Sequence, residues 1–281
     1  MDLILEPGRT EKNYWRDLWR YRELFFILAW RDVSVRYKQT AIGIGWAIIR
    51  PLLTTIVFTL VFSIIAKLPP PTAVPYALLV MAGNLPWQFF ATALGESSNS
   101  LISNSNLISK IYFPRLIVPA GSVITSFVDF VITLALMAGL MLWYGFMPDI
   151  RILALPIFIA MAFASAFGIG ILLCALNVEY RDFRYIVPFI VQFGFFLSPV
   201  GYSTSRVPEI WHVHGWDIPA RLLYSLNPMV GVIDGFRWCL LRGESPLNPA
   251  VLVASIVPIF VFGFVGIWYF RRMERTFADV I

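Results

Sequence analysis

The sequence predicts an all-α integral membrane protein with six transmembrane helices, and three observations carry that prediction. Hydrophobic residues make up 58% of the 281 positions and charged residues only 14%, against roughly 25% charged in soluble domains. The apolar residues gather in six stretches, at about 41–66, 74–98, 115–144, 152–177, 184–200 and 249–270. A helical crossing needs ~20 such residues, and all but one of the stretches reach that length. Lys and Arg are also unevenly spread, with fifteen in segments assigned inside, six in segments assigned outside and Arg50 within the first span. The positive-inside tendency then puts both termini in the cytoplasm.

Residues 1–38 read as a cytoplasmic N-terminal segment. After a polar tail, the stretch from Asn13 to Lys38 places Trp15, Leu18, Trp19, Phe26, Ala29, Trp30 and Val33 on one helical stripe. Arg16, Asp17, Arg20 and Arg31 fall off that stripe. Trp on one face and Arg on the other is the pattern of an amphipathic helix lying in the lipid headgroup layer; a cap packed on the bundle is the plainer alternative. Charge persisting through residue 38 argues against a cleavable signal peptide. Residues 39–281 read as a single transmembrane domain.

The first span carries Arg50 directly before Pro51. A guanidinium at membrane depth costs about 2.5–3.5 kcal/mol on insertion scales, so it snorkels or finds a carboxylate. Glu96 and Asp129 are the candidates, and an inter-helix pair fixing the bundle is the better reading than a pathway site. The second span holds Gly83, Asn84 and Pro86, which predicts an irregular middle. In the fourth, Ala160/Ala164/Gly168 and Ala162/Ala166/Gly170/Cys174 form two small-residue rows of the kind that lets helices approach closely. They serve packing within or between subunits. The charged turn at 177–185, NVEYRDFRY, reads as a salt-bridged joint.

Between the second and third spans lies NSLISNSNLISKIYFPR, residues 99–115. It is too rich in Ser and Asn for lipid. Yet Leu101, Ile102, Leu107, Ile108 and Ile111 recur at helical spacing, predicting short amphipathic helices in the cytosol. An apolar face there needs a cover, and a partner protein that delivers force is the leading reading.

The fifth stretch, 186–200, is short for a ~30 Å core at 1.5 Å per residue. Two helices are predicted beyond it. Asp217 caps one, and Asn227 caps the other with Pro228 at its first position and Gly243 past its end. Neither is long enough to cross, so 203–241 is expected to form a re-entrant hairpin on the outer side.

Motifs for catalysis are missing. The chain contains no phosphate-binding loop ending in Gly-Lys-Ser/Thr and no Gly-x-Ser-x-Gly elbow. His212 and His214 have no further ligand nearby for a metal, and Cys174 and Cys239 are too far apart in sequence to suggest a framework. The basic residues hug the lipid interface, which disfavours nucleic acid. The expectation is a non-enzymatic conduit that binds no cofactor or metal of its own.

Several blocks give that conduit a family. WRDVSVRYKQTAIGIGWAIIRPLL (30–53), LISKIYFPRLIVPA (107–120), NVEYRDFRYIVPFIVQFGFFLSPVGY (177–202), LNPMVGVIDGFRWCLLRG (226–243) and MERTFADVI (273–281) together resemble the permease subunit of the bacterial polysaccharide ABC exporters, of the O-antigen, capsule and teichoic-acid type. The resemblance implies a homodimer in the bacterial inner membrane, joined by two copies of a separate ATPase subunit that uses ATP and Mg. It implies that Asn106, Leu107, Ile108, Lys110 and Tyr112 belong to the coupling helix, and that Asn227, Pro228, Ile233, Phe236 and Arg237 belong to the periplasmic gate. The cargo would be a lipid-linked polysaccharide, O-antigen foremost. Sugar rings stack on aromatic faces, so Trp87, Phe89, Phe90, Phe193, Phe195 and Phe196 are candidates to line a path. A small-molecule exporter of the same superfamily is the alternative, and a membrane-embedded transferase is a more distant one.

Overall fold

The computed structural model describes residues 14–38, 45–65, 74–204 and 223–277. Among these residues every regular element is helical. In chain order they are α1 (Tyr14–Arg20), α2 (Arg22–Lys38), α3 (Gly45–Thr59, continued as a π-helix over Leu60–Ile65), α4 (Tyr76–Ser103), α5 (Ser105–Ile108) and α6 (Ile117–Trp143). Then come α7 (Leu155–Glu179, entered through a 3₁₀ turn at Ile150–Ala154), α8 (Phe183–Phe196), α9 (Pro228–Leu240) and α10 (Pro249–Met273). Five segments are long and apolar enough to cross a membrane: Gly45–Ile65, Tyr76–Ser103, Ile117–Trp143, Ile150–Glu179 and Pro249–Met273. The remaining predicted span is α8, whose 14 residues reach about 21 Å.

The bundle is built around α4. It packs against α6 and α7 most extensively and also meets α3, α8 and α9, and its side chains from Leu78 to Phe90 are nearly all buried. The expected mid-span irregularity is absent, because α4 runs unbroken through Pro86. It also runs past the apolar stretch to Ser103. Ser98 and Asn99 bond the carbonyl of Gly95, Ser100 that of Ser97, and Asn104 that of Ser100. Polar side chains that return their hydrogen bonds to their own helix need no water to extend it.

The small-residue rows of α7 pack inside the subunit. A methyl group on Gly168 would come within 2.8 Å of the Gly263 backbone on α10, and one on Gly170 within 2.9 Å of the Ser97 hydroxyl on α4. The charged turn after α7 is not an internal salt bridge. Among the described residues Glu179 instead accepts a hydrogen bond from the Tyr269 hydroxyl of α10. At the N-terminal end the predicted helix is divided at Tyr21 into α1 and α2, with i→i−4 bonds from Tyr21 to Asp17 and from Phe25 to Tyr21 linking the two. Leu28 and Ala29 of α2 are buried, with α2 lying along α6. On the opposite side Trp15, Trp19, Phe26 and Trp30 are all more than half exposed.

Candidate functional site

Both ends of the described chain meet the loop between α4 and α6, forming an elbow. Leu101, Ile108, Phe113 and Leu116 are buried in one apolar cluster with Tyr14, Leu28, Phe270 and Phe277. The backbone N–H of Arg115 donates to Glu274 Oε1 at 2.7 Å, and its guanidinium donates to the Glu274 carbonyl. Arg271 stacks over the Tyr14 ring at 4.1 Å. Burial raises the Glu274 carboxyl above its ordinary range, and the hydrogen bond from Arg115 opposes that rise. On the other flank, Arg31 donates to Asn104 Oδ1 at 2.7 Å.

This arrangement divides the predicted coupling residues. Ile108 is buried in the chain's own cluster and Leu107 is half-buried, while Asn106, Lys110 and Tyr112 are exposed along with Ile111. Part of the apolar face expected to need a partner is therefore covered by the N-terminal helices and the segment after α10. What remains bare is a smaller patch, Lys110-Ile111-Tyr112, at the tip.

A polar cleft opens beside the elbow between α2, α3, α4 and α6. Arg36 pairs with Glu96 at 2.7 Å and with Asp129 at 2.5 Å, and the Tyr37 hydroxyl donates to the second Asp129 oxygen. The two carboxylates expected to partner Arg50 thus serve Arg36, because α2 folds back along α6 and brings Arg36 between them. Arg50 lies on the rim of the same cleft with its guanidinium over the Trp46 ring, 5.9 Å from the centroid.

The helix α9 lies in the interior of the bundle. Its start is the expected one: Asn227 Oδ1 accepts the Met229 N–H at 3.0 Å and Pro228 takes the first position. Gly243, at φ +72, follows the end. But Met229 through Arg237 are buried on every side, Ile233 and Phe236 completely. Arg237, wholly buried, donates to the carbonyls of Val200 and Tyr202, each at 2.7 Å, and of Leu79 at 3.3 Å. Gly83 leaves the room for this guanidinium, since a Cβ there would meet it at 2.8 Å. Asp234 accepts from the Thr204 hydroxyl at 2.6 Å, and the Asn227 amide reaches Ser198 Oγ at 2.8 Å. Residues 198–204 are thereby fastened to α9 and α4. The first helix of the expected hairpin, with Asp217, lies outside the described residues, as do His212 and His214.

The candidate pathway aromatics separate into two groups. Trp87, Phe89 and Phe90 are buried in the core of the subunit, Trp87 against Phe90 and Phe195, and Phe89 against Phe127 and Phe130. Of the three, Phe89 reaches the wall of the cleft. Phe195 is half-buried against Phe58 and Trp87. Phe193 and Phe196, on the outer side of α8, are about 60% exposed. Nothing in the sequence alone separated the two groups, since both read as aromatics in apolar runs.

Five helices long and apolar enough to cross a bilayer, with α4 at their buried centre, make this a multi-pass membrane protein. The sequence matches the model of the ABC-2 type transporter family over residues 23–241, and the chain belongs to that family. Its relatives include the O-antigen export system permease protein RfbA of Myxococcus xanthus, 27% identical over 95% of this chain and 98% of its own length. Two permease proteins of the same name from Klebsiella pneumoniae are 27% and 25% identical, each over 92% of this chain and 95% of their own. The chain is a transport subunit of an exporter powered by an ABC ATPase.

Proposed function

We propose that this chain is the membrane permease of an ATP-driven exporter that moves a lipid-linked cell-surface polysaccharide, O-antigen foremost, from the cytoplasmic side to the periplasm. The observation that carries the reading is the match to O-antigen export permeases along nearly the full length of both chains. In this reading the subunit works as a homodimer in the inner membrane with both termini cytoplasmic, and α8 completes six crossings. The exposed Trp and Phe side chains of α1 and α2 rest in the headgroup layer, as expected of Trp-bearing helices at a membrane interface. Lys110, Ile111 and Tyr112 dock on the ATPase, and Asn106 and Leu107 flank that contact.

In this reading the buried Arg237 and the half-buried Asn227 make α9 a firm footing for a periplasmic gate. Cargo is held by aromatic stacking, which tolerates sliding, and conduction needs binding weak enough to leave. The exposed Phe193 and Phe196 fit that role. Deleting the gene tests the function. Surface polysaccharide should vanish and lipid-linked polymer accumulate inside, with both restored by the intact gene; unchanged surface glycan would overturn the proposal.

A further inference from the structure

The cleft between α2, α3, α4 and α6 encloses a cavity of about 310 Å³. Its charges cancel: the guanidiniums of Arg36 and Arg50 face the carboxylates of Glu96 and Asp129. The hydroxyls lining it have already committed their protons. Thr92 donates to the carbonyl of Gln88 and Thr133 to that of Asp129. Each therefore offers the cavity an acceptor, alongside the Glu96 carboxylate. An anion, which brings only acceptors, can pair with Arg50 but leaves these acceptors unpaired, as an apolar tail also does, at a desolvation cost. A ligand rich in hydroxyl donors satisfies them. Trp46 stands at the rim, 44% exposed, with its ring flanked by the Arg50 guanidinium, which no carboxylate holds among the described residues.

An aromatic face beside donors and acceptors suits a pyranose ring. We infer that this cavity is a glycan subsite, in which a sugar of the cargo close to its lipid anchor lies against Trp46 and gives its hydroxyl protons to Thr92, Thr133 and Glu96, while Arg50 donates to its oxygens. The inference rests on the polysaccharide reading above and adds a place where the sugar is held before it moves.

The test uses the full chain in lipid nanodiscs and two photoreactive probes of equal alkyl length. One is an octyl glucoside carrying a diazirine on the sugar, and the other an octyl phosphate carrying the same group. After irradiation, peptides spanning residues 45–51 and 88–96 should carry the glucoside label. Trp46→Ala should reduce that labelling about fivefold to tenfold, the range expected from losing one aromatic contact. Trp46→Phe should keep most of it, which guards against a folding defect. Thr92→Val should also reduce it.

Labelling by the phosphate probe that equals or exceeds the sugar's would make this a lipid-headgroup site and overturn the inference. So would absence of sugar label, as in a cavity that holds water only, or label indifferent to Trp46→Ala. The gene deletion separates the two readings. Surface glycan lost on deletion with no label in the cleft sinks the subsite alone, whereas label in the cleft with unchanged surface glycan sinks the export reading.

Discussion

Arg237 shows how much one side chain can organise in this protein. A fully buried guanidinium survives only when its donors are satisfied, and here three backbone carbonyls from two separate segments do that. Arg237→Ala leaves those carbonyls without their donor and Asp234 without its neighbouring charge; removing one partner of a buried charge cluster costs about 3–5 kcal/mol. The expected outcome is a large fall in thermal stability of the detergent-purified protein. Arg237→Lys should recover only part of it, because an ammonium lacks the planar fork that reaches separated acceptors. Equal stability of wild type and Arg237→Ala would show the network to be dispensable.

The end signals of α9 were legible beforehand because they are local: Asn227, Pro228 and Gly243 act within one turn of their own positions. The burial of Arg237 was not, since an Asp and an Arg three residues apart look the same on a wet helix face as on a dry one. What dries that face is Leu79 and Val200, distant in sequence. The same reason hid the true partner of Glu96 and Asp129. Composition supplies the charges, but only the return of α2 along α6 decides that Arg36 reaches them and Arg50 does not.

At the scale of elements, the elbow makes two neighbouring isoleucines opposite in consequence. Ile108 lies in the cluster with Tyr14, Phe270 and Phe277, while Ile111 is 53% exposed. Ile108→Asp buries an unpaired carboxylate and should lower thermal stability and the yield of inserted protein. Ile111→Asp should leave both unchanged. In the assembled exporter it should instead reduce polysaccharide export several-fold, read as surface glycan. If Ile111→Asp exports normally, docking through the Lys110–Tyr112 tip is wrong; if Ile108→Asp is as stable as wild type, the seating of the elbow is wrong. Periodicity alone grouped Ile108 with Ile111 on one stripe. The N-terminal and C-terminal helices, remote in sequence, divide them.

For the whole molecule, the helix order along the chain was readable from apolar length, and four of the five bilayer-length helices fall within a few residues of the expected limits. The centre of the bundle was less legible. Gly83, Asn84 and Pro86 marked α4 as irregular, whereas the helix, surrounded by other helices, runs through them unbroken. The contact between α7 and α10 holds one flank of this arrangement through Gly168, whose position comes within 2.8 Å of the Gly263 backbone when a methyl is placed on it. Gly168→Val must push the two helices apart, and overpacking of this kind costs typically 1–3 kcal/mol. A lower melting temperature is expected, whereas Gly139→Ala, in open space on α6, should have little effect. Matching losses at the two positions would show that close approach at Gly168 does not matter.

The sharing of one cluster by Tyr14, Ile108, Phe270 and Phe277 also bears on biosynthesis. Residues around 108 leave the ribosome long before Phe277 exists to cover them. During that interval the elbow has no finished footing, so an ATPase subunit would meet its proper surface only on chains whose last helix has been inserted. Premature termination would then be screened out at assembly, without a separate inspector.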